Sequence, residues 1–73
     1  MLKPVPIAQS SHLEAVSYDD EAGTLYCQFA KSGKVYAYLK VPENIVTDLS
    51  NALSTGKFFD EMINGSYEFQ KVQ

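Results

Sequence analysis

The chain contains no arginine and no tryptophan, and it has a single cysteine and a single histidine. Because one cysteine cannot form an internal disulfide, Cys27 is expected to act as a small apolar residue in a reducing compartment. One histidine and one cysteine are too few for a structural zinc site, so no metal is predicted. The sequence also lacks a secretory signal and any run near the ~20 apolar residues that cross a bilayer. We therefore expect a cytoplasmic location and no membrane contact.

Residues suited to catalysis are also scarce. Cys27 alternates with Leu25 and Phe29, which places its thiol on a strand face that should be buried, where a reactive thiolate is disfavoured. The segment 54–57 lacks the upstream glycine and the preceding strand of a phosphate-binding loop. The acidic segment 19–21 lacks the ligand spacing of a calcium loop. The sequence therefore predicts neither an enzyme nor a cofactor.

The charge balance disfavours nucleic acid as a direct ligand. Six lysines oppose nine aspartates and glutamates, which gives a net charge of -3. Nucleic-acid binding draws much of its affinity from lysine and arginine at phosphates, and arginine supplies the bidentate contacts. An acidic domain is better suited to a basic protein surface. We expect a monomer that binds a protein partner.

Hydrophobic periodicity predicts a small α+β domain. Alternation of apolar residues over 12–19, 24–30 and 35–41, with short connections near Gly23 and Gly33, indicates an antiparallel meander. After Pro42 the spacing becomes helical, and a second short helix follows a capping Ser54. The predicted buried helix residues are Ile45, Val46, Leu49, Ala52, Leu53, Phe58, Phe59, Met62 and Ile63. With a final strand in 66–72, the fold class is a three-stranded antiparallel meander followed by two short helices packed on one sheet face and a C-terminal strand.

Residues 1–9 form an apolar, proline-containing N-terminal arm that precedes a single domain over residues 10–73. Prolines 4 and 6 break any helix and make a central strand unfavourable. The arm either folds back over the core or presents an extended apolar segment to a partner, for example along a sheet edge. In the second interpretation, the partner-binding residues are Leu2, Lys3, Pro4, Val5, Pro6 and Ile7.

Tyr36 and Tyr38 share one face of the third predicted strand. If the helices cover that face, the rings belong to the core; if they cover the other, the rings could stack on bases. The immediate passage through Val41-Pro42 into a helix favours the core. The alternative nucleic-acid interface consists of Tyr36 and Tyr38 for stacking and Lys31, Lys34 and Lys40 for phosphates.

Several of these segments resemble the KTSC domain. They are Val16-x-Tyr18-Asp19, Leu25-x-Cys27-x-Phe29, Gly33-x-Val35-Tyr36-x-Tyr38, Val41-Pro42 and Ser54-x-Gly56-Lys57-Phe58-Phe59, and the resemblance covers about residues 10–70. That family occurs at the C-terminus of some lysyl-tRNA synthetases and as stand-alone bacterial and phage proteins. Its function is not established, and RNA binding has been suggested for it.

An acidic chain of this size with an N-terminal arm is also similar to small phage transcription regulators. This resemblance implies host RNA polymerase as the partner, with inhibition of initiation, antitermination and a place in the host cytoplasm. The leading hypothesis is thus a non-catalytic protein-binding transcription regulator. The alternative is a small RNA-binding accessory module that uses the Tyr-x-Tyr strand, and a third possibility is a structural or oligomerising module.

Overall fold

A computed structural model describes residues 1–72 of the chain. One antiparallel sheet contains five strands in the order β1-β2-β3-β4-β5. The strands are β1 (Leu2–Pro4), β2 (Leu13–Asp19), β3 (Thr24–Phe29), β4 (Val35–Tyr38) and β5 (Phe69–Lys71). Two helices lie between β4 and β5 in the chain, α1 (Glu43–Asn51) and α2 (Thr55–Phe58), and α2 continues into a π-helical turn (Phe59–Ile63).

The predicted α+β class is correct, and the predicted meander corresponds to β2, β3 and β4. The sheet is larger than predicted: it has five strands, whereas the prediction was a three-stranded meander and one C-terminal strand. The arm adds β1 alongside β2, and the C-terminal strand β5 completes the sheet beside β4. The arm was predicted without a place in the sheet, so its contribution is the main correction to the architecture.

The register of β1 explains how a segment with two prolines joins a sheet. Lys3 lies opposite Tyr18, and the amide of Val5 donates to the carbonyl of Val16 at 2.8 Å. In an antiparallel edge strand, the N–H and C=O groups of alternate residues point to the same side. The backbone groups of Lys3 and Val5 therefore point towards β2, while those of Pro4 point away from the sheet. The N–H that Pro4 lacks is therefore not needed for the ladder, as is usual for proline on an edge strand.

The core lies between one sheet face and the helices. It comprises Leu13, Val16, Tyr18, Leu25, Cys27, Tyr38, Val41, Val46, Leu49, Phe59 and Ile63. Tyr38 is 3% exposed on this face, which confirms the interpretation of this ring as core. Tyr36, two residues nearer the β3–β4 turn, is only half-buried. The two tyrosines thus share a face and differ in their access to solvent.

Two predicted helix residues are not buried. Leu53 is fully exposed because α1 ends at Asn51 and Ala52 already has extended backbone angles, which ends the helical periodicity before Leu53. Met62 is 45% exposed within the π-helical turn. The predicted cap of the second helix is confirmed, since the Ser54 hydroxyl accepts a hydrogen bond from the amide of Lys57. No helix within residues 1–72 is long and apolar enough to span a membrane.

Candidate functional site

A cleft of about 630 Å³ opens where the β3–β4 turn, the segment before β2 and the strand β5 meet. Its wall combines aromatic rings with hydroxyl, amide, imidazole and ammonium groups. The lining residues are Ser11, His12, Phe29, Lys31, Ser32, Lys34, Tyr36, Tyr38, Asn64 and Phe69. Its volume lies within the usual range for ligand sites, and its lining is about as polar as it is apolar.

The rings in this wall form a continuous aromatic cluster with the buried Phe59. Phe29 packs edge-on against Tyr36, with centroids 5.4 Å apart and planes at 88°. Phe69 tilts by 32° against Tyr36 and by 37° against Tyr38, with centroids 5.4 and 5.5 Å away. Phe69 is 53% exposed, so one part of the cluster is open to solvent. An exposed ring on a rigid aromatic base offers a stacking surface.

His12 is fixed at the edge of the cleft by three local features. The Ser10 hydroxyl accepts hydrogen bonds from the amides of His12 and Leu13, at 3.0 and 3.3 Å. Gly56 makes room for the imidazole, because a Cβ at that position would lie 3.1 Å from the Cβ of His12. The imidazole Nε2 lies 3.3 Å from a carboxylate oxygen of Asp60, without the alignment of a hydrogen bond.

Two of the three lysines predicted for a nucleic-acid interface line the cleft. Lys31 and Lys34 belong to the β3–β4 turn. Two backbone hydrogen bonds hold this turn: the amide of Phe29 donates to the carbonyl of Lys34, and the amide of Gly33 donates to the carbonyl of Phe29. Lys40 follows the other end of β4 and lies near Gly23, in the β2–β3 turn. The structure therefore groups Lys31 and Lys34 with Tyr36 and Tyr38 and separates Lys40 from them.

Sequence reasoning did not single out Lys71. Residue 71 pairs with Tyr36 across β4 and β5, so the two side chains project from the same sheet face. The signal was present, because Lys71 stands two residues after Phe69 and alternation places them on one face. It was not recognised because the partner of the last strand could not be identified from local pattern alone.

The N-terminal arm is held along its length. Lys3 forms an ion pair with Asp20 at 2.9 Å, and Val5 and Ile7 pack half-buried against the core. The hydroxyl of Ser50 donates to the carbonyl of Pro6 at 2.6 Å, and that of Thr55 to the carbonyl of Ala8 at 3.2 Å. Of the residues proposed for a partner, Leu2 is 58% exposed, and Lys3, Pro4 and Pro6 are also exposed.

The groups needed for thiol chemistry are absent from the cleft. Cys27 is fully buried beneath it, as expected from its alternation with Leu25, and burial raises the pKa of its thiol to about 12. Within residues 1–72 no three histidine, cysteine or acidic side chains come together as a metal site. The cleft therefore offers stacking, hydrogen bonding and positive charge.

Comparison with known proteins identifies the family. The family model described as the KTSC domain matches residues 9–67. The chain is 38% identical over 72 residues to a lysine–tRNA ligase of Nostoc punctiforme and 39% identical over 54 residues to an uncharacterized protein of Stutzerimonas stutzeri. The match to the ligase covers 99% of this chain but only 12% of the ligase. The match to the Stutzerimonas protein covers 74% of this chain and 75% of that protein.

A solved structure agrees with the fold over its whole length. The crystal structure of a KTSC domain protein from Yersinia pestis superposes with a TM-score of 0.90 at 33% identity, covering 100% of both chains. The family match extends from the segment before β2 to the segment before β5, and thus includes most of the cleft. The chain belongs to the KTSC domain family.

Proposed function

We propose that this KTSC domain is a non-catalytic accessory module that binds unpaired bases of RNA in the aromatic cleft. The observation that carries the proposal is the combination, in one cleft, of the exposed ring of Phe69 with two lysines of an ordered turn. Aromatic rings provide stacking surfaces for bases, and lysines neutralise phosphates, which together are the usual means of binding single strands.

The relatives add independent support. The curated ligases that this chain matches are named for tRNA, and the chain spans about 12% of their length. The aminoacylation reaction belongs to those whole proteins and is not carried over. An accessory domain attached to an enzyme of tRNA is well placed to contact RNA outside the catalytic domain.

The overall negative charge weakens the proposal less than the sequence alone suggested. Electrostatic attraction to a phosphate depends mainly on charges within about 10 Å at 0.1 M salt, because more distant charges are screened. Three carboxylates are gathered in the β2–β3 turn at residues 19–21, close to Lys3 and distant in the sheet from the β3–β4 turn. Lys31 and Lys34 therefore line the cleft away from these three carboxylates, while the carboxylate of Asp60 lies beside the lining residue His12.

An NMR titration of the labelled protein with single-stranded RNA at low salt tests this function. Shift changes should cluster around Phe69, Tyr36 and the β3–β4 turn. Phe69→Ala should weaken binding by about 1–3 kcal/mol, which is the usual effect of losing one stacking ring. The matched control is Tyr26→Ala, because Tyr26 is also an aromatic strand residue but lies on the opposite sheet face. Absence of any shift change at the cleft would refute RNA binding there.

A second candidate function is protein binding through the arm. It is favoured by the position of β1 at a sheet edge with Leu2 exposed on it. A partner would contact Leu2, Lys3, Pro4 and Pro6 on the docked arm and would reach Val5 and Ile7 by displacing it. RNA polymerase as that partner rests on the sequence resemblance, since the relatives described above are tRNA ligases and bacterial KTSC proteins.

A binding assay with purified bacterial RNA polymerase separates this candidate from the first. Leu2→Ser alters the exposed apolar contact and leaves the packing of Val5 and Ile7 in place, so it is preferable to deleting the arm. Loss of binding in this variant would support the arm as an interface. Equal affinity of wild type and variant, with polymerase bound, would remove Leu2 from it, and no binding by wild type would exclude the polymerase.

A further inference from the structure

The charged and aromatic residues occupy different parts of the cleft, which suggests separate subsites for phosphate and base. We infer that Lys71 completes a phosphate subsite with Lys31 and Lys34, next to a base subsite formed by the exposed ring of Phe69. The ligand is then a nucleotide unit within a single strand, whose base stacks on Phe69 while its phosphate lies towards the β3–β4 turn. This inference rests on the function proposed above.

The register of β5 places Lys71 on the sheet face that carries the cleft, beside the lining residue Tyr36. Lys71 is directly opposite Tyr36, whose ring contacts both Phe29 and Phe69. The strand is held on both sides of this pair, since the amide of Val72 donates to the carbonyl of Val35 and that of Leu39 to the carbonyl of Glu68, each at 2.8 Å. The backbone at Lys71 is thus fixed, and its side chain projects on the cleft side of the sheet.

The distribution of charge favours one flank of the cleft for the phosphate of the bound strand. Lys34 immediately precedes β4, and Lys71 lies opposite Tyr36, two residues further along β4, so half of the chain's six lysines are near the β3–β4 turn. His12 lies on the β2 flank of the same turn, since its carbonyl accepts a hydrogen bond from the amide of Ala30, and its imidazole is 3.3 Å from the carboxylate of Asp60. A phosphate is attracted to the three lysines and repelled by that carboxylate, so we expect it on the β5 flank, next to the ring of Phe69.

The proposed subsite takes unpaired rather than duplex RNA. The stacking surface is the exposed part of Phe69 within a cleft whose floor is closed by Tyr36 and Tyr38. A base must leave its own stack to contact that ring. In a duplex the base faces are already covered by neighbouring pairs, so a double-stranded probe can reach only the lysines.

Salt dependence measures the phosphate subsite separately from stacking. The affinity of a fluorescein-labelled oligouridylate is measured by anisotropy over a series of NaCl concentrations. For single strands, the slope of log K against log[salt] is about −0.7 for each neutralised phosphate. Lys71→Gln should make the slope shallower by about 0.7, and Lys34→Gln should do the same. Lys40→Gln is the matched control and should leave the slope unchanged, because Lys40 lies at the opposite end of β4.

The possible outcomes separate this inference from the proposed function. Binding by the wild type with the same slope in Lys71→Gln as in Lys40→Gln would overturn the phosphate subsite while RNA binding stands. Failure of the wild type to bind the oligouridylate at low salt would overturn both. Equal affinity of the wild type for the oligouridylate and for a duplex of matched length would overturn the base subsite, because only the lysines can reach the duplex. Lys71 is exposed, so its variant should keep the wild-type unfolding midpoint, which is checked by circular dichroism.

Discussion

At the scale of single residues, the clearest physical constraint is on Cys27. Its side chain is fully buried in the core on the central strand β3, and burial raises the pKa of the thiol from 9.0 to about 12. Only the thiolate reacts with disulfide and alkylating reagents at an appreciable rate. We therefore expect no labelling of the native protein by a thiol reagent at pH 8 and rapid labelling in urea. Rapid labelling of the native state would contradict the burial of Cys27.

The same thiol makes stability fall in alkaline solution. Below pH 9 the thiol is protonated in both the folded and the unfolded chain, so its contribution is fully present. Between pH 9.0 and about 12 the unfolded chain loses the proton first, and the folded state loses stability relative to it. Burial raises the pKa of Tyr38 from 10.0 to about 12, which acts in the same direction. A Cys27→Ala variant should show a smaller loss of stability between pH 9 and 10 in urea titrations.

At the scale of elements, the docking of β1 is coupled to pH through Lys3 and Asp20. The hydrogen bond from Lys3, together with that from the amino group of Met1, lowers the pKa of Asp20 from 3.8 to about 2. Because the folded-state pKa is lowered, this contact stabilises the docked arm above pH 3.8 and is lost as the pH falls towards 2. NMR shifts of the Lys3 and Val5 amides should follow the titration of the Asp20 carboxyl group.

A variant isolates the contribution of the lysine. Lys3→Gln should raise the pKa of Asp20 towards 3.8, incompletely because the Met1 amino group still lies 3.1 Å from the carboxylate. Lys57→Gln is a suitable control, since that lysine lies in α2. An unchanged Asp20 titration in Lys3→Gln would show that Lys3 does not hold the arm.

The elements differ in how far local sequence determines them. The alternation of Leu25, Cys27 and Phe29 and the spacing of Val46 and Leu49 define β3 and α1, because each pattern records which side of one element is buried. The strand β1 could not be predicted in the same way. A proline is compatible with an edge strand only in a register that turns it outward. That register is set by pairing with β2, which the pattern of residues 1–9 does not contain.

The residues of the candidate site were harder still to predict from local sequence patterns. Tyr36 and Lys34 were recognised because they lie on one predicted strand and its turn. Phe69 reaches the cleft, and Lys71 the same sheet face, only through pairing of β5 with β4, across some thirty residues that include both helices. Lys40 was grouped with the tyrosines because it is near them in sequence, but the two ends of a strand lie at opposite ends of the sheet. Proximity along a strand is therefore a poor guide to which charges share a site.

At the scale of the whole molecule, stability depends on a small core. A chain of 73 residues buries only about 60% of the surface that its unfolded form exposes, and its free energy of unfolding is expected to be about 4–11 kcal/mol. The single layer of helices on one sheet face supplies part of that core, and Leu49 of α1 is one of its fully buried residues. Loss of one such residue should therefore remove a large share of the total stability.

Two leucines at the end of α1 test this dependence. Leu49 is 0% exposed, whereas Leu53 is 101% exposed although the helical spacing had placed both on one buried face. Leu49→Ala leaves a cavity among packed side chains and should lower the free energy of unfolding by about 2–5 kcal/mol. Leu53→Ala removes no buried surface and should change it by less than about 0.5 kcal/mol. Urea denaturation monitored by tyrosine fluorescence measures both. Similar losses in the two variants would mean that α1 continues past Asn51 and buries Leu53, whereas a difference of this size follows directly from a helix that ends there.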